Sequence, residues 1–86
     1  PPHIDVASVR DALLRVEGVM EIHDLHVWTI TSGKDSLSSH LLIRPDVDPN
    51  QVLDRLAHLV RDRFDIEHFT IQLETQSLED HEPDFF

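Results

Sequence analysis

The stretch Ile22-His23-Asp24-Leu25-His26-Val27-Trp28-Thr29-Ile30 holds two histidines, an aspartate and the chain's one tryptophan. A strand interior favours Val, Ile, Thr and aromatic residues and avoids Asp. Val27 to Thr31 follow that rule, whereas His23, Asp24 and His26 add nothing to a core. They read as chemistry placed on a rigid element. Imidazole and carboxylate share one such chemistry, the ligation of transition metals. Seven histidines and no cysteine stand in the 86 residues. Imidazole and carboxylate are therefore the strong ligands at hand, and both suit Zn²⁺ and other first-row divalent ions.

Zinc takes about four ligands at ~2.0–2.2 Å. Candidates are spread over three extended runs. His23 is early in the first, His40 is in the second, Glu67 or His68 opens the third, and Glu74 closes it. His23, His40 and Glu74, completed by Glu67, His68 or a water, form the candidate set. Asp24 is placed to orient a ligand through a hydrogen bond. Adjacent strand residues point to opposite faces, so His23 is expected on one face and Asp24, His26 and Trp28 on the other. That second face is assigned to a dimer cleft, with Trp28 as a packing or interface anchor. His81, between Asp80 and Glu82, is a weak candidate in the tail, and mid-helix His58 is read as structural.

These residues need elements to hold them. Asp5 is a good N-cap, and Val6, Val9, Leu13 and Val16 fall on one helical stripe that Gly18 ends, predicting a helix over about 5–17. Val19 to Thr31 is extended, Ser32-Gly33-Lys34-Asp35 is turn-like, and Ser36 to Arg44 is extended again, predicting an antiparallel hairpin. A turn centred between Gly33 and Lys34 sets His23 opposite Arg44 and Val27 opposite His40. His23 and His40 then meet only through a bulge, an offset register or a bridging ion. Asp48, Pro49 and Gln51 start a second helix of about 49–63 with Val52, Leu56 and Leu59 on its apolar stripe. Glu67 to Glu74 alternates as a third strand, with Phe69, Ile71 and Leu73 on one face. The order α-β-β-α-β predicts an α+β two-layer sandwich, ferredoxin-like (metallochaperone-like), with a three-stranded mixed sheet. The third strand is expected beside the first and parallel to it. Residues 1–86 read as one domain: a lead-in over 1–4, a folded core over 5–75 and a mobile acidic tail over 76–86.

Composition excludes several classes. Seventeen acidic against seven basic residues give a formal charge of −10, which repels nucleic acid and anionic membrane surfaces and attracts cations. No run approaches the ~18–20 apolar residues of a membrane span, so direct insertion is not expected. The start Pro1-Pro2-His3 is read as that of an excised fragment. Without cysteine there is no disulfide scaffold and no Cys-x-x-Cys metallochaperone site. Ser38-Ser39-His40 gives no nucleophile–base pair, and no phosphate loop or His-Glu-x-x-His is present, so an enzyme is not expected. A chain this short buries only about 60–65% of its unfolded surface, which favours dimerisation.

Taken together, Val16-Glu17-Gly18-Val19, His23-Asp24-Leu25-His26-Val27-Trp28, Leu37-Ser38-Ser39-His40 and Phe69-Thr70-Ile71-Gln72-Leu73-Glu74 resemble the cytosolic C-terminal domain of the cation diffusion facilitator family. The resemblance runs from about residue 4 to 75. It implies a regulatory domain of a zinc or divalent-cation exporter. Such a domain pairs as a V-shaped homodimer at the cytoplasmic face of the inner membrane, covalently attached to a transmembrane domain. It implies metal binding that favours a closed dimer and so promotes transport. Zn²⁺ is the first expectation, with Co²⁺, Cd²⁺, Ni²⁺, Mn²⁺ and Fe²⁺ as others. His23, His40 and Glu74 match positions that are commonly ligands in relatives. Many relatives carry histidine immediately before the position of His68, where this chain has Glu67, so Glu67 or His68 is expected to serve instead. Oxygen ligands would weaken the preference for Zn²⁺. The alternatives are a purely structural dimerisation domain and a small-metabolite-binding module.

Overall fold

A computed structural model describes residues 4–75. The elements are α1 (Val6–Leu14), β1 (Val19–Thr29), β2 (Asp35–Ile43), α2 (Pro49–Asp62) and β3 (His68–Glu74). The α+β order and the mixed three-stranded sheet are as expected. The acidic tail and His81 lie outside the described residues.

Local chemistry sets the helix ends. Asp5 caps α1, its carboxylate accepting from the Ala7 amide at 3.1 Å and the Ser8 hydroxyl at 3.0 Å. The helix is shorter than its apolar stripe suggests. It stops at Leu14, and the Arg15 and Val16 amides then bond the Ala12 and Leu13 carbonyls at 3.2 Å in tighter turns that use otherwise orphaned acceptors. Asp48 caps α2 by accepting from the Asn50 amide at 2.9 Å, with Pro49 in the first turn. Both helices lie on one face of the sheet. Val9 and Leu13 of α1 and Val52, Leu56 and Val60 of α2 pack with Leu37, Leu41 and Ile43 of β2 and with Ile66, all at most 1% exposed. Burying side chains of this size stabilises by about 1.5–3 kcal/mol each before entropy is counted.

β2 is the central strand. Its odd-numbered residues Leu37, Ser39, Leu41 and Ile43 face the helices, and Ser36, Ser38, His40 and Leu42 alternate to the open face. β1 pairs antiparallel to one side of β2 and β3 pairs parallel to the other, in the order β1-β2-β3. The expected placement of β3 beside β1 is therefore corrected. β1 occupies one edge of β2, and the crossover through α2 delivers the chain to the other edge, the nearest vacant one.

The hairpin register also differs from expectation. Thr29 pairs with Asp35, Val27 with Leu37 and Asp24 with His40. The turn is centred on Ser32, and it closes through the Gly33 amide on the Ile30 carbonyl at 2.9 Å and the Ile30 amide on the Lys34 carbonyl at 2.8 Å. Beyond Asp24 the register slips twice, with Met20 and His23 as the extra residues. These are β-bulges, in which two residues of one strand oppose one of its partner.

Gly18 joins α1 to β1 at φ +95°, and a Cβ there would meet both Val47 methyl groups at 3.1 Å. Gly33 has φ +83° but nothing within 4 Å. Gly33→Ala is expected to cost about 1–2 kcal/mol from backbone strain alone. Gly18→Ala adds the clash and should cost more. Urea denaturation of the two variants checks the order, and equal midpoints would show that the Val47 contact relaxes freely.

Candidate metal centre

The open face of the sheet is built in rows. Cross-strand partners share a face, so the register aligns Trp28–Ser36–His68, His26–Ser38–Thr70, Asp24–His40–Gln72 and Glu21–Leu42–Glu74. The last two rows carry the candidate donors. His40 Nδ1 lies 3.9 Å from Glu74 Oε2, and the Glu74 side chain is only 9% exposed. Gln72 Nε2 donates to the same carboxylate oxygen at 3.3 Å. On the neighbouring strand His23 Nε2 lies 3.5 Å from Glu21 Oε2. His23 Nε2 is buried and has no hydrogen-bond partner. A buried polar nitrogen left without a partner costs about 1–3 kcal/mol. A ligand atom or ion would remove that cost.

The bulge explains why His23 is here. In a regular strand residues 21 and 23 would point opposite to 24, 26 and 28. The extra residue resets the alternation. Glu21 and His23 lie together, and Asp24, His26 and Trp28 continue on the same open face. The expectation that His23 and Asp24 serve opposite faces is corrected. A buried hydroxyl supports the bulge: Ser39, 2% exposed on the helix-facing side, donates to the Asp24 carbonyl at 2.6 Å.

The other expected donors are not gathered with these. His68 pairs with Ser36, four residues before the His40–Gln72 row, a distance of about 13 Å along the strand. Glu67, one residue further, pairs with Lys34 Nζ at 3.3 Å. Within one protomer Glu67 and His68 therefore do not share an ion with His40 and Glu74. His68 and Glu67 instead line a hollow with Trp28 and Thr70. His58, on the exposed side of α2, donates from Nδ1 to the Asp54 carbonyl at 2.8 Å, one turn back. Glu21 is a candidate donor that the sequence pattern had not singled out. Its signal was its spacing of two residues from His23, which places both on one side of a strand.

Two imidazole–carboxylate pairs thus stand on the sheet, Glu21/His23 on β1 and His40/Glu74 on β2 and β3, with Glu21 and Glu74 in one row and His40 in the next. Among the described residues no group of three His, Cys, Asp or Glu is close enough to hold an ion within one protomer. Each pair offers one nitrogen and one oxygen donor, half of a four-ligand set.

Residues 1–76 match the family described as "Cation efflux protein, cytoplasmic domain". The metal cation efflux system protein CzcD of Cupriavidus metallidurans is 44% identical over 75 residues, 86% of this chain and 24% of that protein. A probable zinc transporter of Dictyostelium discoideum is 44% identical over 80 residues, 93% of this chain and 15% of that protein. The chain thus spans a quarter or less of the length of these relatives. The solved structure of the metal-bound C-terminal domain of the Cupriavidus CzcD transporter superposes with a TM-score of 0.79 at 44% identity. The match covers 83% of this chain and 99% of that one.

Removing the Ser39 hydroxyl leaves the Asp24 carbonyl without its buried partner. Ser39→Ala is expected to lower unfolding free energy by about 0.5–1.5 kcal/mol, read from chemical denaturation. A change below measurement error would show that the bulge holds without that bond.

Proposed function

The chain belongs to the cation efflux family through its cytoplasmic domain, and from that premise we propose that it is the metal-sensing, dimerising part of a divalent-cation efflux transporter. The domain is part of a transporter and not an enzyme. No described helix is long and apolar enough to cross a membrane. In the full-length protein a covalently attached transmembrane domain would carry the ion at the cytoplasmic face. Zn²⁺ is the proposed ion. The name of the Dictyostelium relative and the imidazole–carboxylate donor set support it.

One observation carries the reading: the one sheet carries two imidazole–carboxylate pairs, Glu21/His23 on β1 and His40/Glu74 on β2 and β3, and the His23 Nε2 is buried without a hydrogen-bond partner. His23, His40, Glu74 and Glu21 are the proposed ligands. Asp24, opposite His40, and Gln72, bonded to Glu74, are placed to orient them. A bound divalent ion supplies two positive charges and a fixed bond geometry. The residues do the rest. Each protomer brings a formal charge of −10, so two protomers repel when their open faces approach. Half-sets of ligands on those faces are completed when the faces close. Binding that is tighter in the closed pair shifts the population toward it by the difference in affinity and by no more.

Zinc titration by calorimetry, after stripping with chelator, tests the ligand set. His40→Ala and His23→Ala should each weaken binding by at least about tenfold. Glu67→Gln and His68→Ala should leave it nearly unchanged. Sedimentation velocity on the same samples should show zinc raising the dimer fraction in the parent chain and not in the His23→Ala/His40→Ala double variant. Zinc binding that ignores both histidines would sink the proposed site, and a dimer fraction indifferent to zinc would leave a purely structural dimerisation domain.

A further inference from the structure

The helix layer carries a second surface of opposite character. Between α1 and α2 runs a shallow groove of about 450 Å³ lined by Ala12, Val16 and Leu59 and by Arg15, Arg55 and Arg63. His58 and Asp62 complete the lining. Three of the seven basic residues of a chain with formal charge −10 are thus collected on one apolar-floored groove. Their helix positions account for only part of this. Arg15 and Arg63 are C-cap residues that offset the negative ends of their helix dipoles, and Arg63 also lies over the Phe64 ring at 5.2 Å. Arg55 stands in the middle of α2 and has neither role. Among the described residues no carboxylate forms an ion pair with Arg15 or Arg55.

Residues 76–86, Gln-Ser-Leu-Glu-Asp-His-Glu-Pro-Asp-Phe-Phe, have the complementary chemistry. Glu79, Asp80, Glu82 and Asp84 are interspersed with Leu78, Phe85 and Phe86, and no arginine or lysine is among them. β2 and β3 run parallel, so α2 begins at the end of the sheet where β3 finishes. Arg55 lies six residues into α2, about 9 Å along its axis. Eleven extended residues span about 36 Å, ample for the passage from Thr75 to the groove. We propose that the α1–α2 groove is the docking site of the acidic segment 76–86 of its own chain, with carboxylates on Arg15, Arg55 and Arg63 and apolar side chains over Ala12, Val16 and Leu59. The groove is on the helix layer, across the sheet from the His40–Glu74 pair. Docking there keeps four negative charges and His81 away from the open face, whether or not that face binds metal.

The full chain has no cysteine, so His81→Cys carries a single nitroxide label for paramagnetic NMR. At low ionic strength the Ala12, Val16 and Leu59 amides should lose most of their signal. The signal should return at about 1 M salt, where charges are screened beyond ~3 Å. It should also return in the Arg15→Glu/Arg55→Glu variant and not in Arg10→Glu. If the double variant loses its dispersed spectrum, Arg55→Gln alone, with the same salt series, is the substitute. Full amide signal at low salt overturns the proposal. So does broadening that survives charge reversal. Mixing ¹⁵N-labelled chain lacking nitroxide with unlabelled spin-labelled chain gives the last arm: equal broadening there means a second copy's segment occupies the groove and overturns docking within the chain.

Discussion

The hydrogen bond from the Ser39 hydroxyl to the Asp24 carbonyl is the interaction on which the candidate site depends. It joins the centre of β2 to β1 one residue past the bulge at His23. An extra residue disrupts the ladder locally, and a side-chain hydrogen bond beside it helps to hold the two strands together. Ser39 supplies such a bond from inside the core. The apolar residues on either side, Leu37 and Leu41, fill the helix–sheet interface, so the hydroxyl is positioned by packing on both sides. With the bulge held, Glu21 and His23 come onto the face that also carries Asp24, His26 and Trp28.

The sheet thereby separates two kinds of energy. Its inner face is Leu37, Leu41 and Ile43 against two helices, and hydrophobic burial there fixes the backbone. Its outer face carries Ser38, His40, Thr70 and Gln72 with acids and imidazoles at one end and half-exposed Trp28 at the other. Little on that face contributes to folding. Donors on a rigid strand with little role in stability are free to be chosen for what they bind.

Periodicity made the elements legible. Asp5, Asp48 and Pro49 mark helix starts, and the alternation through Phe69, Ile71 and Leu73 marks β3, because each of these signals is local. His40 and Glu74 were legible as candidate ligands through the resemblance, and the fold brings the two side chains within 3.9 Å. What the sequence did not disclose was non-local. A bulge leaves no local composition signal at His23, since the residue that accommodates it, Ser39, lies fifteen positions away. Faces assigned by strict alternation were therefore wrong on the N-terminal side of Asp24, and Glu21 was overlooked. The placement of β3 beside β2 follows from which edge is vacant. No pattern within β3 records that, and it is also what carries Glu67 and His68 away from His40.

An incomplete set of candidate ligands in one protomer suits the proposed sensing role. A protomer that held a full set would bind equally well alone, paired, open or closed, and equal affinity for two states shifts nothing however tight it is. Moving a population from 1:99 to 99:1 takes about 5.5 kcal/mol of differential binding. In the proposed dimer, half-sets on the open face would make metal binding differential, because the missing donors would arrive only with closure. The same logic assigns a role to the protein's acidity. In the proposed dimer, repulsion between two protomers of formal charge −10 would favour the open state and give a divalent ion something to offset. In the proposed sensor, donor geometry and net charge would then be two halves of one switch, the first setting how strongly metal closes the pair and the second setting how far apart it begins.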